Sequence, residues 1–236
     1  MTTTASVPAP GKARAKLTGA KLTRAERNEL TKHKLFEAAR KVVGRLGYAE
    51  ASVARITAEA GVAQGTFYNH FTNRQELLDQ LLPEIGKDML RFIRERTRHD
   101  APESAREADR FRAFFDYLKE VPEFLRILNE AELFAPEGYR QHIKTIAGSY
   151  ARVLRRGRDK GEVQPFTDEE IEVIVHMFMG ARGYLSQCYA YADHAVTAVP
   201  DYVMSAYGKL LAGGLFTDAP ARDEALAPAA PAGRRG

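Results

Sequence analysis

From about residue 29 to residue 216, apolar side chains recur every three or four positions, the period of a helix buried on one side. Strand-like alternation is missing, as are Asn-Gly and Asp-Gly hairpin turns. Leu35, Ala39, Val42 and Leu46 make one stripe of a first helix that stops at Gly47. A short helix is predicted from Ser52 to Ala60, and another, after Gly61, from Gln64 to about Phe71. Thr72 with Gln75 and Asn73 with Glu76 are overlapping capping boxes that open a long helix. Pro102, Pro122, Pro136 and Pro200 suit first helical turns, Thr167 with Glu170 is another capping box, and Gly161 and Gly213-Gly214 are stops. These signals allow about six helices in this part of the chain. The fold class is therefore all-α. Residues 1–28 are expected to be a flexible basic arm, 29–75 a small helical domain, 76–216 a larger one and 217–236 a disordered Ala/Pro-rich tail.

Composition narrows the class. A chain of 236 residues, 44% hydrophobic and 28% charged, can bury a sizeable core without cross-links. Its single cysteine, Cys188, permits no intramolecular disulfide and no thiolate metal cage. The longest stretch without Asp, Glu, Lys or Arg is 14 residues, Ala60 to Asn73, too short to cross a bilayer, and the first residues lack the pattern of a secretory leader. A cytoplasmic location is expected. Charge is segregated: residues 1–75 hold 13 basic and 5 acidic side chains, a net +8, while the whole chain is only +4. That division predicts a basic module for a polyanion and a second module with another task.

Ser52 to Phe71 reads as helix, tight turn at Gly61-Val62, and second helix, which is a helix-turn-helix. Val53, Ile56, Ala60, Val62, Phe67 and Phe71 are expected to build its core with the Leu35-to-Leu46 stripe. Gln64, Gly65, Thr66, Tyr68, Asn69 and His70 are left facing outward. Gln64 and Asn69 have the amides that read adenine, Thr66 can meet a thymine methyl, and Gly65 lets the backbone approach. Tyr68, His70, Ser52 and Arg74 are the phosphate candidates. The stretch Ala60-Gly-Val-Ala-Gln-Gly-Thr-Phe-Tyr-Asn-His-Phe71 resembles the DNA-binding domain of the tetracycline-repressor (TetR) family of bacterial regulators, over roughly residues 30–80. The resemblance implies an all-helical homodimer: an amino-terminal three-helix helix-turn-helix domain on a double-stranded DNA operator, and a carboxy-terminal domain for ligand binding and dimerisation. Two positions depart from the family's pattern. Ala63 stands where the family usually has a capping Ser, and Arg55 where it usually has an acid, adding a candidate phosphate contact.

The second module offers two wide apolar stripes on one helix: Ile171, Ile174, Val175, Phe178 and Leu185, beside Val173, Met177, Gly180 and Tyr184. Ile171, Ile174, Val175 and Phe178, with Tyr202, Val203, Ala206, Tyr207 and Leu210 of the last helix, are the expected dimer interface. Phe92, Phe115, Leu118, Leu128, His142, Ile146, Tyr150, Met177 and Tyr184 are candidates for an effector pocket suited to a small hydrophobic, aromatic or acyl-type ligand. Pro83 and Gly86 either bend the helix that leaves the DNA-binding domain or mark a new helix. The reading is a repressor released from a palindromic operator by its effector, with no cofactor and no metal site. An effector-independent architectural DNA-binding protein is the alternative. Enzyme signatures such as His-Glu-x-x-His, G-x-S-x-G or a phosphate-binding loop are missing, so no enzyme is expected.

Overall fold

A computed structural model describes residues 23–192 and 195–214; the expected arm up to residue 22, and the tail from residue 215, lie outside them. The described chain is helical, in the order α1 (Arg24–Leu46), α2 (Val53–Ala60), α3 (Gln64–Phe67), α4 (Arg74–Arg96), α5 (Glu103–Glu120), α6 (Phe124–Phe134), α7 (Pro136–Asp159), α8 (Asp168–Tyr189) and α9 (Asp201–Gly214). The structure corrects three local readings. The first helix begins inside the expected arm, because Thr23 and Glu26 form a reciprocal capping box. A two-stranded antiparallel hairpin, Tyr191–Ala192 with Ala195–Val196, joins α8 to α9; strands this short leave no alternation to detect. Pro83 lies inside one continuous α4 and starts no new helix.

Gly47 and Gly61 end α1 and α2 at φ 85° and 67°, backbone that only glycine adopts without strain. At the start of α4 the predicted Thr72–Gln75 box does not form, because Gln75 donates instead to Asp79 and to the Phe134 carbonyl. Asn73 accepts from the Glu76 amide, and the Glu76 carboxylate accepts from the Thr72 amide at 2.6 Å.

One continuous core runs through the molecule. At its amino-terminal end Leu35, Ala39, Val42, Ile56, Phe67 and Phe71 are buried, while Leu46, the last of the predicted stripe, is 44% exposed. Burying Ile56 and Phe67 is worth about 1.5–3 kcal/mol each. Leu77, Leu78, Leu81 and Leu82 of α4 carry that core into a second layer formed by α5, α6 and α7. Pro83 has no N–H for the Asp79 carbonyl, and Gly138 at the start of α7 packs against that carbonyl, where any Cβ would overlap it. Gly138→Ala is therefore expected to lower stability by about 2 kcal/mol. Gly148→Ala, on the open side of α7, should raise it by about 0.5–1 kcal/mol. Urea unfolding of the two variants should give midpoint shifts of opposite sign.

Candidate functional site

The segment from Gln64 to His70, α3 with the turn after it, carries no acidic side chain. Gln64, Gly65, Tyr68 and Asn69 are exposed, Tyr68 to 59%, and Thr66 and His70 are half-buried. Phe67 and Phe71 anchor this segment from below, their rings 5.4 Å apart, with Phe36 edge-on to Phe71. The helix itself is shorter than its sequence predicts. Only Gln64–Phe67 is α-helical; Asn69 and His70 donate to carbonyls three residues back, continuing it as a tighter turn. Ala63 sits at the cap without any side-chain bond, as its missing hydroxyl requires.

The phosphate candidates divide. Ser52 is the cap of α2, accepting from the Arg55 amide. Arg74 is not free for phosphate: its Nε donates to the Ala51 carbonyl at 2.7 Å and its Nη2 to those of Tyr48 and Ala49. It fastens the α1–α2 loop to α4, a task that the loop's bare carbonyls impose and that sequence spacing conceals. Arg55 is paired with Glu50, and Arg45 with Glu59 at 2.7 Å. Lys32 lies 5.8 Å from the rings of both Phe36 and Phe71.

A cavity of about 840 Å3 opens between α4, α5, α6, α7 and α8. Of the predicted pocket residues, Leu128, His142, Ile146 and Tyr150 line it. The others do not. Phe115 and Leu118 are buried in the core, Phe92 packs edge-on against Tyr117 under Arg96, and Met177 and Tyr184 are 64% and 69% exposed on the outer face of α8. Sequence reasoning missed the cavity's cations. One part of the wall is apolar, with Met89, Phe114, Phe124 and Ile143; another carries Arg94, Arg106, Arg110, Arg156, Lys160 and Arg182. Arg156 and Lys160 end a helix, where cations are expected anyway, so their spacing gave no separate signal.

Behind that wall lies a buried ionic cluster. Glu107, fully buried, accepts from Arg182 Nη2 at 2.5 Å, from the Tyr150 and Tyr207 hydroxyls at 2.5 and 2.7 Å, and from Arg110 Nε at 3.0 Å. Burial alone would raise the Glu107 carboxyl, but Arg182 and Arg110, with the two hydroxyls, outweigh it and hold it below the usual range. Glu103, also buried, accepts from Arg106 and Arg110.

The dimer stripe is corrected in register. Ile171, Val175 and Phe178, with Val203 and Tyr207 of α9, are buried within this chain and Ile174 is half-buried. The apolar face left open is the neighbouring one, Val173, Met177 and Tyr184 on α8 with Tyr202, Ala206 and Leu210 on α9. Tyr189 and Tyr202 meet edge-to-face at 6.0 Å between the two helices. A helix apolar on both sides does not announce which side its own chain will cover.

Residues 35–81, which hold the helix-turn-helix, match the family model for bacterial regulatory proteins of the tetR family. By its amino-terminal segment the chain is similar to the tetR family. The fatty acid metabolism regulator protein of Bacillus subtilis (strain 168) is 38% identical over 71 residues, 30% of this chain and 34% of that protein's length. Among solved structures, a TetR-family transcriptional regulator of Syntrophomonas wolfei superposes with TM-score 0.66 at 18% identity, over 81% of this chain and 100% of the other. FadR of Bacillus subtilis, in complex with stearoyl-CoA, superposes with TM-score 0.64 at 21% identity, over 77% and 98%. At these identities the superpositions show a shared fold beyond the DNA-binding domain.

His142 gives this region a pH dependence. Its ring is buried, Nδ1 has no hydrogen-bond partner, and burial pushes the imidazole down to about 4 against the opposing pull of the Leu82 backbone. The unfolded chain takes up this proton near the ordinary value of 6.5 and the folded chain does not, so stability falls as pH drops from 6.5 toward 4. Between pH 7 and 5 the wild type should lose about 2 kcal/mol more than His142→Gln, as read by urea unfolding at each pH.

Proposed function

We propose that this protein is a dimeric, DNA-binding transcriptional regulator, a repressor released from a palindromic operator by an acyl-type effector. The observation that carries the first part is the acid-free recognition turn, whose Gln64, Tyr68 and Asn69 side chains stand in solvent on a helix-turn-helix backed by a rigid aromatic core. Gln64 and Asn69 read base edges; Tyr68, Thr66 and His70 meet the backbone or a thymine methyl, and Gly65, with open space around it, admits close approach. Two copies joined through Val173, Met177 and Tyr184 of α8, with Tyr202 and Leu210 of α9, bury an exposed apolar face and set two recognition turns on one duplex. The division near residues 75–76 belongs to the same reading.

The cavity supports the effector class. Its apolar part suits a long acyl chain, and the neighbouring Arg94, Arg156 and Lys160 suit a phosphate-bearing head group. FadR of Bacillus subtilis, with the same fold, was solved with stearoyl-CoA. An architectural protein without an effector has no use for such a cavity. The reading places the protein in the cytoplasm, with no catalytic reaction of its own; no helix among the described residues is long and apolar enough to cross a membrane.

Asn69→Ala should weaken binding to a duplex selected by the wild type by about 1–3 kcal/mol and leave random duplex unaffected, in titrations at fixed salt. Equal losses on both would remove Asn69 from base reading. Replacing Arg156 and Lys160 together by Ala should weaken stearoyl-CoA binding at least tenfold while stearate binding changes little, as measured by calorimetry; equal effects would place the head group elsewhere.

A further inference from the structure

We propose that His142 is a specificity-determining residue of the cavity, and that it selects an acyl effector bearing a hydroxyl at the end of its chain remote from the head group. The inference rests on the functional reading above and narrows the ligand of the same cavity. One face of α7 runs along that cavity, with His142, Ile146, Val153, Arg156 and Lys160 all in the wall. Arg156 follows His142 by about 21 Å along the helix axis, so the imidazole and the head-group cations stand at well-separated places in the cavity. The surroundings of the imidazole are apolar. The centroid of the Phe124 ring lies 6.1 Å away, and Ile146 follows one turn later on α7. Gly86 of α4 packs so closely that a Cβ there would overlap Nδ1 and Cε1.

His142 is 3% exposed, and it is a polar group of this wall that its own chain leaves unsatisfied. Other polar groups of the wall are committed. Tyr150 donates to Glu107, Thr97 donates to the Ile93 carbonyl, and Ser149 accepts from Arg152. Arg106, Arg110 and Arg182 are paired with Glu103 and Glu107. The Leu82 carbonyl draws on the His142 ring without completing a bond to Nδ1. With Nδ1 closed in against Gly86, Nε2 is the nitrogen left to the cavity that the ring borders. Burial keeps the ring neutral at pH 7, with one donor and one acceptor between its two nitrogens. A hydroxyl donates and accepts, so it satisfies Nε2 in either tautomer, whereas a carbonyl oxygen satisfies only the protonated nitrogen. A carboxylate finds no counter-charge on a neutral ring among apolar groups. A plain alkyl end pressed against Nε2 removes water from it and leaves it unpaired, and a site built in this way discriminates strongly against a ligand that lacks the oxygen.

The test is calorimetry on the full-length chain at neutral pH with acyl-CoA esters from octanoyl to stearoyl, each with and without a terminal hydroxyl. At the chain length that reaches His142, the hydroxylated ester should bind at least tenfold more tightly than its unsubstituted partner. His142→Leu, which puts an apolar group in place of the imidazole, should reverse that order. A second readout needs no substitution. In the wild type with isotope-labelled imidazole nitrogens, the Nε2 resonance of His142 should take a hydrogen-bonded position with the best hydroxylated ester and a free position with its unsubstituted partner. A ratio below tenfold at every chain length overturns the proposal, as does the same Nε2 resonance with both esters. A preference that persists undiminished in His142→Leu also overturns it, because the hydroxyl is then read elsewhere. A chain that binds none of the esters defeats the head-group reading instead. His142 is then decided by the same comparison between free fatty acids and their terminally hydroxylated forms: a tenfold preference upholds its role, and a smaller one, or no binding of either, overturns it.

Discussion

A carboxylate cannot stay charged inside a helical bundle unless the bundle is built around it, and Glu107 imposes that constraint here. Its two oxygens are claimed by Arg110 of α5, Tyr150 of α7, Arg182 of α8 and Tyr207 of α9. Four helices must therefore converge to within hydrogen-bonding distance of one point. Removing a single partner from a buried pair of this kind costs about 3–5 kcal/mol, because an uncompensated charge remains behind. The aromatic groups conform to the same centre: Phe111 stacks on Tyr207 at 3.7 Å, and the Arg182 guanidinium lies 4.9 Å from the Tyr150 ring.

That cluster also borders the cavity. An ion pair joins α5 to α8, and the Tyr207 hydroxyl ties α9 to the same carboxylate. Arg106, Arg110 and Arg182, paired with Glu103 and Glu107, are where that cluster meets the cavity. The rest of the wall comes from apolar side chains of α4, α6 and α7. An amphipathic volume in the same chain as an exposed recognition turn is a physical basis for a regulator. Each part has its own structural reason.

At the other end, the recognition turn owes its presentation to groups that never touch solvent. Phe67 and Phe71 fix its underside, and Arg74, spent on three loop carbonyls, fixes its distance from α4. A side chain that looked like a phosphate contact serves the scaffold instead.

What the residues by themselves determined was local. Helix starts at Thr72-Asn73, Thr167 and Pro136, stops at Gly47 and Gly61, and the outward set on the recognition turn all follow from capping, backbone freedom and period, which act over a few residues. The tertiary structure decided everything that depends on which surface meets which. Glu103, Arg106, Glu107 and Arg110 have the spacing of an ordinary solvent-facing ladder of ion pairs, yet both glutamates are buried. Of the two apolar stripes on α8, packing against this chain's own core took Ile171, Val175 and Phe178 and left Val173, Met177 and Tyr184 outside. Periodicity measures how much of a helix is apolar; only the positions of its neighbours settle which part is covered.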